Sequence, residues 1–293
     1  MNYTLKNQIL TVEISDYGAE IQSIKSNKTG IEYLWQGSDV YWKNRATVIF
    51  PICGRLHQGK YTYNGKEYQM IIHGFAKKST FTVVEQSDEK IVFQLKANDF
   101  TREQYPFEFI LNLEYQLDNN ELKQTYRVFN PDDKTLIFSI GGHPGFNVPF
   151  IEGERFEDYY IEFDSVGEKL NSFFSDDGLT LPKSEYYPMV DGKIINLTHG
   201  LFDNDAIFLD DKDDAVTLKS KTNNYSVRVE FKDMTKIGFW QDERTEAPFL
   251  CIEPWHGIPA DDGVTDDLST KKQMIHLQPN QEYSTYFKII IQE

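Results

Sequence analysis

Two residues in this chain have the type and setting that proton transfer requires. His143 lies in Ile140-Gly141-Gly142-His143-Pro144-Gly145-Phe146-Asn147. Pro144 fixes its own φ and biases His143 toward an extended conformation. Gly141 and Gly142 are expected to end the preceding strand and let the backbone bend or approach something closely. His143 is therefore expected at a stiff strand end with its imidazole held in one direction. A buried histidine satisfied by one backbone carbonyl fits the same residues equally well. Glu253 follows Phe249-Leu250-Cys251-Ile252 and precedes Pro254-Trp255. A carboxylate in an apolar strand loses solvation, so its pKa is expected to rise toward the range of a general base. The competing reading is a surface carboxylate on an edge strand.

Other side chains suggest what such a pair would act on. Arg55 closes the apolar run Val48 to Leu56, as a surface charge or as a fork donor aimed into a cleft. His73 precedes Gly74 and is expected, like His143, at the end of a strand. Sugars present C–H patches that pack on flat rings, and their hydroxyls need fork donors and carboxylates. Trp255, Arg55, His73, Asp205 and Glu253 are of those types, although Trp255 fits a plain core equally. A glycoside hydrolase would need two carboxylates around the scissile bond, and only Glu253 has a convincing setting. There is no nucleophile elbow, P-loop, dinucleotide fingerprint or His-Glu-x-x-His. The histidines are not spaced in pairs one helical turn apart, although a His/carboxylate metal site can also assemble in space.

These side chains must be positioned by a largely β chain. Of 293 residues, 40% are hydrophobic and 14% aromatic, which favours strands and a ring-lined cleft. Alternating segments recur throughout, among them Thr4–Ile14, Ala19–Ser26, Phe81–Lys96 and Phe107–Asn130. Asn64-Gly65 between Tyr61 and Tyr68 signals a tight hairpin. Glu32–Trp35 reads as a short strand, Val40–Arg45 as irregular with a short helical turn, and Gln273–Leu277 with Tyr283–Ile291 as a closing hairpin. Asp210–Asp214 reads as a charged, solvated tip without the spacing of a calcium loop. About twenty short strands with no long amphipathic helix and no linker predict one all-β domain over 1–293, a large antiparallel sandwich. The net charge of −16 and the absence of a basic cluster argue against nucleic acid and anionic membrane as partners. Cys53 and Cys251 sit in apolar runs and read as buried thiols, which fits a reducing cytoplasm. No run approaches a membrane span, so a cytoplasmic protein is expected.

Taken together, four stretches resemble the aldose 1-epimerase (galactose mutarotase-like) family. They are Phe50-Pro51-Ile52-Cys53-Gly54-Arg55-Leu56, Ile72-His73-Gly74-Phe75-Ala76, Gly142-His143-Pro144-Gly145-Phe146-Asn147 and Cys251-Ile252-Glu253-Pro254-Trp255. Their order and spacing cover the whole chain and look closest to a LacX-like branch. The resemblance implies a β-supersandwich with a sugar cleft on a concave sheet and no metal or cofactor. It implies His143 as the general acid toward the ring oxygen and Glu253 as the general base toward the C1 hydroxyl. Arg55, His73 and Asp205 would hold hydroxyls or the ring oxygen, with Asp203 competing for the last role. The expected partner is a hexose, and the expected assembly a monomer or homodimer. The chain departs from better-known members in Pro144-Gly145 after the histidine and in Trp255, where a glutamine usually follows the proline. A sensor without catalysis on the same scaffold is the alternative. So is a hexose-phosphate mutarotase, whose branch has an arginine where this chain has Lys77.

Overall fold

The computed structural model describes residues 1–210, 214–231 and 233–293. Asp211, Lys212 and Asp213 of the charged tip therefore lie outside the described residues. The all-β expectation holds, with strands throughout and a six-residue helix, Asp99–Gln104, capped by Asn98.

Two large antiparallel sheets carry the fold. One has nine strands, in the spatial order Ile194–Asn196, Tyr159–Phe163, Ala215–Ser220, Ser226–Glu230, Glu282–Gln292, Glu121–Phe129, Ile110–Asp118, Lys90–Lys96 and Thr82–Gln86. The other has seven, in the order Thr180–Tyr186, Leu170–Phe174, Ile207–Asp210, Lys236–Trp240, Phe249–His256, Ile140–Asn147 and Ala46–Ile49. Their inner faces share one apolar cluster. Leu111, Leu113, Tyr126 and Phe287 from the first sheet meet Ile140, Phe146, Leu250 and Ile252 from the second. Strict alternation builds this core, since side chains two residues apart share a face. On Ile110–Asp118 every second residue from Leu111 to Leu117 is buried.

Three local expectations are corrected. The closing hairpin does not form. Ile275–Leu277 pairs with Leu136–Phe138, whereas Glu282–Gln292 lies between Glu121–Phe129 and Ser226–Glu230 in the nine-stranded sheet. Glu32–Trp35 makes only isolated bridges, because the Glu32 carboxylate accepts the backbone N–H groups of Ile24 and Leu34 and fastens the segment by its side chain. Val40–Arg45 holds no helical turn. It is an irregular segment anchored by the Trp42 carbonyl, which accepts from the Trp35 indole at 2.8 Å and the Ser38 N–H at 2.9 Å.

Candidate active site

The site is built on two neighbouring strands, Ile140–Asn147 and Phe249–His256. On the second, Leu250 and Ile252 turn to the core between the sheets, and Phe249, Cys251, Glu253 and Trp255 occupy the opposite face. Gly141 pairs with Trp255 and Gly145 with Cys251, so the antiparallel register sets His143 opposite Glu253. Cross-strand neighbours on one face bring their side chains together. The His143 Nε2 lies 3.3 Å from a Glu253 oxygen, both side chains being nearly buried.

His143 therefore sits in mid-strand, not at a strand end as the glycines suggested. Gly141 and Gly142 continue the strand, and their role is close approach. A Cβ on Gly141 would lie 2.8 Å from Trp255 Cδ1, and one on Gly142 would lie 2.5 Å from a Phe287 ring carbon. The break comes earlier, at Ser139, between Leu136–Phe138 and Ile140–Asn147. The Gly141 carbonyl accepts from the Tyr126 hydroxyl, which accepts from Gln124, so the facing sheet pins the histidine strand two residues before His143.

His73 is not at a strand end either. It lies in the turn after Lys66–Gln69 with φ +64, and Gly74 behind it packs so closely that a Cβ would meet the Phe50 carbonyl oxygen at 2.3 Å. The Gly54 N–H donates to His73 Nδ1 at 3.3 Å, and the His73 N–H donates to the Gly54 carbonyl at 2.9 Å. This ties His73 to the loop that carries Arg55. With Nδ1 accepting, the neutral ring carries its proton on Nε2. Burial, then His143, Lys77 and Arg55, hold His73 well below the usual histidine range, so it is a neutral donor. Its ring stands edge-on to both His143 and Trp255.

The pair His143 and Glu253 opens onto a cleft of about 310 Å³, which Arg55, His73, Asp205 and Trp255 also line. All six residues singled out in the sequence thus meet in one place. Asp205 faces the cleft and Asp203 does not line it. Asp205 has φ +74, and its carboxylate accepts the Ala206 N–H at 2.7 Å. A Cβ on Gly178 would lie 3.2 Å from Arg55 Nε and 3.4 Å from Asp205 Oδ2, so the two charges flank that glycine. Trp255 is a buried wall more than an open platform. It packs against Phe208 with ring centres 4.8 Å apart, and its indole N–H has no partner among the described residues.

Sequence reasoning missed Trp42 and Trp240. Trp42 stacks on the His143 ring with centres 4.8 Å apart at 25°, and Trp240 meets the same ring edge-on. No local pattern marked them; the structure gathers all four tryptophans on this face, Trp35 lying in the cluster of Phe249 and Cys251. Asp176, Asp177 and Glu243 add carboxylates to the cleft wall, against Arg55 and Lys77 as cations. Burial, then Lys78 and Arg55, push Lys77 down to about 8.

Burial moves the central pair in opposite directions. It pushes His143 down to about 3, with Lys77 adding to the effect. It pushes Glu253 well above the carboxylate range, with Asp205 adding to it. One proton therefore rests on the carboxyl, and the imidazole is neutral. Cys251 is the neighbouring thiol, and donor atoms of His143, Cys251 and Glu253 lie within 4.8 Å of one another. Such a set has the donor types of zinc sites. Burial holds the thiol of Cys251 well above its usual range, with Glu253 adding to it.

The two antiparallel sheets, with a buried imidazole–carboxyl pair in a carboxylate-rich cleft, are those of a galactose mutarotase-like β-supersandwich. The family model for aldose 1-epimerase matches residues 1–285, and the chain belongs to that family. It is 34% identical over 288 residues to the plasmid-encoded protein LacX of Lactococcus lactis subsp. lactis, covering 95% of both chains. A galactose mutarotase related enzyme from Lactobacillus acidophilus superposes with a TM-score of 0.96 at 38% identity, over 100% of this chain and 98% of that one. A galactose mutarotase-like protein from Lactobacillus casei superposes with a TM-score of 0.94 at 29% identity, over 100% of both chains. Family and neighbours support a mutarotase-type isomerase acting on a small sugar. No helix among the described residues is long and apolar enough to cross a membrane.

Proposed function

We propose that this chain is an aldose 1-epimerase that interconverts the α and β anomers of a neutral hexose. The observation that carries this reading is the buried pair 3.3 Å apart, in which burial lowers the proton affinity of the imidazole and raises that of the carboxyl, inverting their ordinary order. In the ring-opening step Glu253 takes the proton of the C1 hydroxyl, the C1–ring oxygen bond breaks, and His143 gives its proton to the ring oxygen. The pair begins as imidazolium and carboxylate and ends as imidazole and carboxylic acid, with no net change in protons. Burial favours the second state, so the site is matched to the open aldehyde. C1 then rotates, Glu253 returns its proton to the carbonyl oxygen, and His143 recovers the ring proton as the other face closes. Neither group needs a proton from solvent within the cycle.

Arg55, the neutral Nε2–H of His73 and Asp205 are the donors and acceptor for the remaining oxygens. The cleft wall carries more carboxylates than cations, which favours an uncharged sugar over a phosphorylated one. Polarimetry of freshly dissolved α-D-glucose and α-D-galactose tests the reading. Wild type is expected to accelerate mutarotation, and His143→Ala and Glu253→Gln to lose at least about 100-fold in kcat, the usual scale of one general acid or base. Tight binding of these sugars without any acceleration, also with their 6-phosphates, would instead make the protein a sugar sensor.

A further inference from the structure

We propose that Lys77 captures the open-chain aldehyde as an imine, so that the protein carries a site of covalent modification by its own reaction intermediate. The mutarotase reading supplies the aldehyde, whereas the reactivity of the amine rests on the cleft alone. Lys77 lies in the turn Ala76–Lys78, just after His73-Gly74. The Ala76 N–H donates to the Phe50 carbonyl, and the Lys77 carbonyl oxygen packs so closely on Gly18 that a Cβ there would meet it at 3.2 Å. The turn also packs on Ala46–Ile49, the strand on which Thr47 pairs with His143. The Lys77 side chain lines the cleft together with His143 and Glu253. After burial, its charge is what lowers His143, which places the amine on the His143 side of the cleft. Ring opening leaves an aldehyde at C1 beside the same pair, so nucleophile and electrophile share one cleft.

Nothing around Lys77 ties up its amine. Among the described residues its side chain makes no hydrogen bond or ion pair. Glu20 is the carboxylate that acts on it, but one Glu20 oxygen accepts the Arg45 and Ala46 N–H groups and the other accepts the Gln22 amide. Asp176, Asp177, Asp205 and Glu243 line the same cleft without pairing with it. Burial, Lys78 and Arg55 all oppose its charge, and His73 and His143 are neutral neighbours. At pH 8 about half of this amine is neutral, against about 0.4% of a lysine in water. A desolvated lysine beside other cations is the kind that forms imines with carbonyl compounds. The amine lone pair attacks C1, the carbonyl electron pair moves to oxygen, and a proton passes from nitrogen to that oxygen to give a carbinolamine. The hydroxyl then leaves as water with the second nitrogen proton, and the C=N bond forms. Nothing is oxidised or reduced, and water reverses the step.

The experiment incubates wild type, Lys77→Arg and Glu253→Gln with α-D-glucose, α-D-galactose or glycolaldehyde, an aldehyde that needs no hexose ring to open. Cyanoborohydride reduces any imine to a stable amine, and peptide mass mapping locates it. The better hexose is expected to modify Lys77 of the wild type at least about tenfold faster than any other lysine, because the aldehyde forms beside it. The added mass is that of the sugar less one water plus two hydrogens. The adduct fills the cleft, so polarimetric activity is expected to fall in step with it. Lys77→Arg keeps the charge but forms no imine, and is expected to hold its own starting rate through the same treatment. Glu253→Gln is expected to slow modification by the hexose at least about tenfold while glycolaldehyde still reacts at Lys77. A hexose that is turned over but modifies Lys77 no faster than the surface lysines would overturn the proposal. So would hexose modification that Glu253→Gln leaves unchanged. If no hexose were turned over at all, the mutarotase reading would fall. Selective modification of Lys77 by glycolaldehyde would then still establish an aldehyde-trapping amine, and its absence would refute that as well.

Discussion

Trp42 offers the sharpest test of how this site manages charge. The imidazolium of His143 is the species that burial opposes, since its pKa falls from 6.5 to about 3. A shift of that size is roughly 5 kcal/mol against the charged form. Two neighbours act the other way: the Glu253 carboxylate at 3.3 Å and the Trp42 ring stacked at 4.8 Å. A cation over an indole face is worth about 1–2 kcal/mol when desolvated. Trp42→Leu removes the π face and keeps an apolar cover, so kcat should fall by about 5- to 30-fold. Trp42→Phe, with a weaker quadrupole, should lie between. The assay is the initial polarimetric rate on an α-hexose over a range of concentrations, which separates kcat from KM. Since Trp42 also lines the cleft, a loss confined to KM would mean that it holds sugar and does not support the cation. That result, or a kcat unchanged within about twofold, would refute the argument.

Three further outcomes follow from the geometry. Asp205→Asn should raise KM by about tenfold or more, the scale of a lost charge-assisted hydrogen bond, while Asp203→Asn should leave it unchanged; steady-state kinetics on both variants decide it. The stability that His143 and His73 contribute should fall as pH drops from about 6.5 toward 3, because both bind protons more weakly folded than unfolded, while the raised Glu253 acts in the opposite sense. Each contributes a slope of up to about 1.4 kcal/mol per pH unit, and His143→Asn should flatten the urea-midpoint profile over that window. Gly142→Ala should cost about 1–3 kcal/mol through its clash with Phe287, whereas Gly167→Ala, with nothing within 4 Å, should be near neutral; urea unfolding of the two variants checks the contrast.

What could be read from the sequence was whatever leaves a local mark. The hairpin at Asn64-Gly65 was legible because its type of turn needs two residues at positive φ, and these have φ +51 and +74. The hairpins at Ser87–Glu89 and Asp118–Asn120 were legible from alternation on both sides of a polar tip. The partner of Glu282–Gln292 was not, because pairing with Glu121–Phe129 across more than a hundred residues leaves no turn to recognise. Thr180–Tyr186 was missed because an edge strand buries little, and its exposed polar residues erase the period of two. Trp42 was missed for a related reason. Its segment has no periodicity, and its place over His143 is set by backbone bonds to Trp35 and Ser38.

The error at Gly141-Gly142 is instructive because it fell on the site itself. Glycine and proline inside a strand ordinarily argue against a central position in a sheet. Yet Ile140–Asn147 and Phe249–His256 are interior strands, each with a proline beside its catalytic candidate. By register Pro144 faces Ile252 and Pro254 faces Gly142, diagonal to the His143–Glu253 pair. Neither proline has an N–H to donate, and the ladder is interrupted between Gly141–Trp255 and Gly145–Cys251. Rungs without hydrogen bonds hold opposing side chains closest, which suits an imidazole and a carboxylate that must share a proton. Gly141 then admits Trp255 and Gly142 admits Phe287 against the same strand. The residues that break the rules of a strand are thus those that let this one carry His143 against Glu253, and rule-breaking in an otherwise consistent sheet was itself a mark of the candidate site in the sequence.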